Sequence, residues 1–253
     1  MNVWMIVGLV VLLLIIGFLI LELPRQHRFI DYCGKNDPER VRKWLHEGAD
    51  PNKAGLFGLT PLGVAIDNKK LENVRILVEA GATIKPTEPS RTPLHIAVES
   101  GDPGIAEFLL ESGADPNFKD KGGRSAFMEA CNSLKPEMAE LLLSHEANVN
   151  LGAGRDGEIQ EPTIILVVAQ CSGLHKPEEV QRLTQVVKLM LDAGANVNAR
   201  SSSGMPLVVF ALSQLPVLQL LVDYGAITDV AHDGIEYGEI IAVLLEEHRP
   251  SER

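Results

Sequence analysis

Apolar positions along this chain fall into short stripes of helical spacing, set in pairs and closed by a recurring polar phrase. Thr92-Pro93-Leu94-His95-Ile96-Ala97 opens one pair and Thr60-Pro61-Leu62-Gly63-Val64-Ala65 opens another. Each predicts a first helix, because Thr is a good N-cap and Pro in the first turn has no N–H to leave unpaired. A second stripe follows, as in Ile105, Phe108, Leu109 and Leu110, and predicts a second helix. The closing phrase reads GADPN from Gly48, GATIK from Gly81, GADPN from Gly113, EANVN from Glu146, GANVN from Gly194 and GAITD from Gly225. Its glycine is placed to end the second helix in the left-handed conformation. The steps between phrases are 33, 32, 33, 48 and 31 residues. A period near 33 means one supersecondary unit copied along the chain, and such units stack because none buries its own apolar face.

The Thr-Pro-Leu-His-Ile-Ala element and the GADPN phrase resemble the ankyrin repeat family. The resemblance covers roughly residues 29–248 and implies an all-α solenoid of helix pairs with turns projecting at right angles. In the fourth unit Ser125-Ala126-Phe127-Met128 stands in place of Thr-Pro-Leu-His, and the sixth keeps only Pro206-Leu207. Terminal units are atypical, as ends that must cover an apolar face are. The expected organisation is a membrane anchor at 3–21, a linker at 22–28, about six repeats with a partial C-terminal cap at 29–248, and a tail at 249–253.

The unit with a step of 48 carries about 15 extra residues. About six fall in the turn before Ile164, around Gly152 to Glu158, and about nine fall between its two helices, around Gly173 to Glu179. Insertions in a solenoid map to loops, often on the working face. A tolerated loop is the alternative, since doubling a loop costs only ~0.6 kcal/mol of closure entropy.

Val3 to Leu21 is 19 residues without a charge. As a helix it spans about 28 Å, close to the hydrocarbon thickness of a bilayer. A cleaved signal peptide fits less well, because no basic region precedes the run and no small-x-small site precedes Glu22. No Lys or Arg lies before the span, whereas Arg25, Arg28, Lys35, Arg40, Arg42 and Lys43 follow it. The positive-inside rule therefore puts the repeats on the cytoplasmic side, with the periplasmic orientation as the alternative.

Lys plus Arg is 23 and Asp plus Glu is 34, a net charge of -11. Nucleic-acid binding needs a basic footprint, so this balance argues against it and is compatible with a basic protein partner. Cys33, Cys131 and Cys171 are odd in number and far apart; they form no metal spacing or disulfide framework, and each sits where a first helix wants a small apolar residue. His175 with Glu178 and Glu179, and Asp156 with Glu158 and Glu161, match no metal or calcium-loop spacing. No phosphate loop, nucleophile elbow or Cys-His pairing is present, so no catalytic residue, cofactor or small-molecule substrate is expected. The resemblance gives His95 a structural role, hydrogen-bonding between neighbouring units.

The resemblance further places binding on the projecting turns and on first-helix residues facing the concave side. In this chain those are Leu56, Phe57 and Leu59 with Asp67 and Asn68; Glu88, Arg91, Glu99 and Ser100; Lys121, Arg124, Asn132 and Ser133; and Gln160, Glu161 and Ser172. Leu56, Phe57 and Leu59 crowd three large apolar residues into one turn, where Gly, Asn, Asp and Ser usually dominate. Such anchors ringed by polar groups have the character of an interaction hot spot, and packing on the first unit or on the membrane is the competing reading. The expected function is non-enzymatic: a membrane-tethered adaptor or scaffold for a protein partner. The alternative is an inhibitor or immunity protein that neutralises a basic toxin or hydrolase.

Overall fold

A computed structural model describes residues 25–55, 58–85, 91–154 and 160–247, except for the side chains of Cys171 and Glu247. In chain order the elements are α1 (helical residues 25–33), α2 (Pro38–His46), α3 (Pro61–Asp67), α4 (Leu71–Glu79), α5 (Pro93–Ser100), α6 (Pro103–Glu111), α7 (Ala126–Asn132), α8 (Pro136–Ser144), α9 (Thr163–Val168) with a 3-10 segment (Ala169–Gly173), α10 (Pro177–Asp192), α11 (Leu207–Phe210), α12 (Leu215–Asp223), β1 (Ala231–His232), β2 (Ile235–Glu236) and α13 (Gly238–Glu247). The two strands form an antiparallel hairpin, so the described chain is all-helical apart from this one short ribbon.

Local chemistry accounts for the boundaries. Asp37 accepts from the Arg40 N–H at 3.1 Å, Thr60 from Gly63 at 3.0 Å, Thr92 from His95 at 3.2 Å and Ser125 from Met128 at 3.3 Å. Each bond satisfies a first-turn donor that the helix leaves without a partner. At the other end, Gly48, Gly81, Gly113, Gly194 and Gly225 all have φ between 85° and 90°. Only glycine enters that region without a Cβ penalty, which is why the phrase repeats it. Glu146 is the exception, held at φ 64° in the same place.

The described residues fall into two compact units: residues up to 85 together with 104–113, and residues 91–103 together with 114–247. In the first, α3 packs on α4 and α4 on α2. Phe29, Cys33, Val41, Ala65, Ile66, Val74, Leu77, Ile105 and Leu109 have no exposed surface there. In the second, the first helices α5, α7, α9 and α11 pack in succession, and the second helices α8, α10 and α12 do the same, with α13 on α12. Its interior is built from Leu94, Ala97, Met128, Cys131, Leu142, Val167, Leu183, Val187, Met190 and Leu221. Fully burying a Leu, Ile, Val or Met side chain is worth roughly 1.5–3 kcal/mol, so the stacked rows, rather than helix propensity, hold these short helices.

The long unit departs from the expected loop between its helices. Only residues 174–176 separate the 3-10 segment from α10, which runs for 16 residues where the other second helices have nine. The extra residues extend the helix at its start: Pro177 takes the first turn, Glu178 and Glu179 complement the helix dipole, and Val180 lies three residues before buried Leu183. The other part of the insertion closes as a two-residue bridge, Ala153 and Glu161 exchanging N–H···O bonds of 2.8 Å.

The 3–21 span lies outside the described residues, as do the tail at 249–253, Leu56, Phe57, Glu88, Asp156 and Glu158. Among the described residues, no helix is long and apolar enough to cross a membrane.

Candidate protein-binding surface

The last residue of the recurring phrase has a defined task. Asp50 accepts from the Asn52 N–H at 2.8 Å, which turns the Asn52 amide outward; its Nδ2 then donates to the Gly81 carbonyl at 2.8 Å and its Oδ1 accepts from the Thr83 N–H at 2.7 Å. Asn117 binds the Glu146 carbonyl and the Asn148 N–H in the same way, and Asn150 the Gly194 carbonyl and the Asn196 N–H. Asn198 accepts from Ile227 at 2.8 Å. In four of the six phrases an amide side chain thus ties successive turns, and in three of these it satisfies the carbonyl end of the next second helix.

A second tie joins the carbonyl end of a first helix to the following unit. Buried Asn73 on α4 donates to the Cys33 and Lys35 carbonyls at 2.9 and 2.7 Å. Lys135 donates through Nζ to Val98 at 2.7 Å and Glu99 at 2.8 Å, and Gln214 to Leu174 at 2.9 Å. Three different residue types perform one task. Neither set of ties was singled out by sequence reasoning, although the recurring Asn at the end of the phrase was a visible signal for the first.

His95 is 3 % exposed. Its Nε2 lies 3.0 Å from the Arg124 carbonyl, and its Nδ1 lies 2.8 Å from the Thr92 hydroxyl and 3.4 Å from the Thr92 N–H. A carbonyl on one side and a backbone donor on the other select the neutral imidazole with its proton on Nε2. Burial pushes its pKa below the ordinary value, opposed by the bond to Arg124. The expected link between neighbouring units is present; in the fourth unit Met128 stands at the matching place and closes only its own helix cap, accepting the Ser125 N–H through sulfur at 3.4 Å. Cys33 and Cys131 are buried and free; burial pushes the Cys33 thiol up to about 12 and raises that of Cys131 further. Both pack as small apolar side chains.

These ties hold the projecting turns and outer helix positions to which the candidate residues belong. Leu59 is 52 % exposed beside the Gly58 turn, and its carbonyl accepts from Gly55 at 2.8 Å. A Cβ on Gly55 would stand 2.7 Å from the Ile30 methyl group, so a side chain there would require the end of Ile30 to shift. Asp67 and Asn68 are exposed at the end of α3, where Asn68 donates back to Val64 at 2.9 Å. Arg91 and Glu99 form an ion pair with each other, and Ser100 donates to Ala97 at 3.0 Å. Arg124 approaches Glu129 at 3.5 Å, and half-buried Asn132 accepts from Gln170 at 3.4 Å. Lys121, Ser133 and Ser172 are exposed. Glu161 is engaged elsewhere, accepting from the Ser202 N–H at 2.9 Å and so tying two turns. Among the described residues no group of His, Cys, Asp and Glu is placed to hold a metal ion, and Glu179 beside His175 instead pairs with Lys176 at 3.2 Å.

The geometry is that of a helix-pair repeat protein with outward turns. Residues 29–120 match the family model for ankyrin repeats, in 3 copies. The described fold is similar to the human ASB11 ankyrin repeat domain, with a TM-score of 0.67 at 21 % identity over 88 % of this chain and 98 % of that one. Residues 29–120 therefore carry ankyrin repeats, and the fold is an all-helical ankyrin repeat solenoid. Among curated relatives, the chain is 33 % identical over 107 residues to a transient receptor potential cation channel subfamily A member 1 homolog of Caenorhabditis elegans, covering 42 % of this chain and 9 % of that one. It is 33 % identical over 106 residues to the human protein phosphatase 1 regulatory subunit 27, covering 40 % and 66 %. The match spans less than two thirds of either relative. Ankyrin repeats typically serve as non-enzymatic protein–protein interaction modules.

Proposed function

We propose that the chain is a membrane-tethered scaffold that holds a protein partner through its projecting turns, with the repeats on the cytoplasmic side. The observation that carries the reading is Leu59, a large apolar side chain half exposed on a projecting turn whose sequence neighbours are Leu56 and Phe57. Exposed apolar residues on a turn cost solvation unless a partner covers them. The uncharged run from Val3 to Leu21 supports the tether, and the Lys and Arg residues that follow it support the orientation. Confinement to a membrane raises the effective concentration of the two partners.

Affinity capture of the full chain from detergent-solubilised membranes tests this, with the Phe57→Ser/Leu59→Ser variant as control. Several substoichiometric membrane proteins lost in the variant support a scaffold. One stoichiometric basic toxin or hydrolase lost in the variant would replace it with the inhibitor reading. Unchanged capture with a large fall in melting temperature would assign both side chains to packing. A C-terminal alkaline phosphatase fusion that is active would reverse the orientation.

A further inference from the structure

Among the described residues five large apolar side chains are strongly exposed: Leu59, Ile227, Ile235, Ile240 and Val243. Three of them belong to the closing hairpin and the helix that follows it, Ile235 at 50 %, Ile240 at 44 % and Val243 at 52 %. On α13 the inward position is Ile241, 1 % exposed, and the helix packs on α12. Ile240 and Val243 are three apart and lie side by side on the exposed part of the helix. Glu239 and Glu246 lie four residues before Val243 and three after it, so both line the edge of Val243 that faces away from Ile240, and exposed Glu236 stands on the adjoining strand.

The charge along this stretch of the chain is one-sided. Residues 201–247 contain seven Asp and Glu and no Lys or Arg, against a net charge of -11 for all 253 residues. An apolar pair with carboxylates along one edge is matched by a segment with apolar residues on one face and Lys or Arg along its edge. A second copy of the same face would bring carboxylates against carboxylates, which costs rather than gains. We infer that the outer face of α13 is a docking surface for a basic amphipathic segment of a protein partner. This surface is separate from the Leu59 turn and does not rest on the scaffold reading.

Two synthetic amphipathic helices of leucine on one face and either lysine or glutamate on the other provide the test. Each carries a fluorophore, and binding to the full chain in phosphatidylcholine nanodiscs is read by anisotropy against empty discs. The lysine peptide should bind at least about tenfold more tightly than the glutamate peptide. Ile240→Asp/Val243→Asp should weaken it by about tenfold, although it adds two negative charges. Glu239→Gln/Glu246→Gln leaves the apolar face intact; it should weaken binding by a few fold and flatten its salt dependence. If circular dichroism shows that the aspartate variant has lost helix, this second variant decides. Equal or tighter binding by a helical aspartate variant would mean that charge alone attracts the peptide and would overturn the proposal. So would self-association of the wild type in sedimentation that the same substitutions abolish, since a second copy would then be the occupant.

Discussion

Replacing Asn73 tests the claim that buried amide ties, and not surface ion pairs, join successive units. Asn73 is 1 % exposed, and its Nδ2 donates to the Cys33 carbonyl at 2.9 Å and the Lys35 carbonyl at 2.7 Å. Asn73→Ala removes both bonds and leaves two carbonyls at the end of α1 without a donor. An unsatisfied buried polar group costs ~1–3 kcal/mol, so two give about 2–4 kcal/mol after partial relaxation. For a domain of this size that is a fall in Tm of roughly 5–15 °C. The matched control is Asn68→Ala, in which an exposed amide loses a 2.9 Å bond within its own helix; the expected cost is below about 0.5 kcal/mol. Urea unfolding of the full chain in detergent, followed by far-UV circular dichroism, measures both, and an unchanged m-value confirms that the same surface unfolds. If Asn73→Ala fell within about 0.5 kcal/mol of Asn68→Ala, the ledger of orphaned carbonyls would be refuted.

Other expectations follow from the same geometry. Asn150→Ala should cost about 1 kcal/mol, because the amide makes two exposed bonds to the next unit, and a loss below about 0.3 kcal/mol in urea unfolding would deny it a clamping role. His95 has a folded pKa lowered by burial, so the stability it contributes as a neutral ring is present above its unfolded value near 6.5 and is lost as pH falls through the folded value. Between pH about 7.5 and about 5.5 the wild type should therefore lose more stability than His95→Met, by at most about 1.4 kcal/mol per pH unit, and parallel profiles would contradict the assignment. The Cys33 and Cys131 thiols should resist a thiol reagent in the native protein at neutral pH and react fully in denaturant; prompt native labelling of a Cys131→Ala/Cys171→Ala variant would show that Cys33 is not packed as described.

The ion pairs carry little of this stability. Arg91–Glu99, Arg42–Glu72 and Lys188–Asp192 join side chains about half exposed, where solvent and salt screen the attraction. The amide ties act differently, because the carbonyls at the ends of the short helices have no partner within the helix. A solenoid built from helices of seven to nine residues has many such ends.

By itself the sequence determined the unit and its repetition. Thr60, Thr92 and Ser125 as caps, the prolines in the first turns and the glycines at the ends of second helices act within one helical turn, so their effect is written in the local residue order. His95 and the buried cysteines were legible for the same reason, since each sits at a fixed place in the unit. The tertiary structure decided the rest. Asn73, Lys135 and Gln214 cap carbonyls 36 to 40 residues away with three unlike side chains, so no recurring letter marks them. Of the residues expected as a loop around Gly173 to Glu179, the last three became the start of α10, because packing against α8, α9 and α12 rewards continuing the helix and local pattern does not report it. Which side of α13 meets the core and which remains open was likewise fixed by the neighbour it packs on: its apolar residues are spread too widely round the helix for periodicity alone to choose a face.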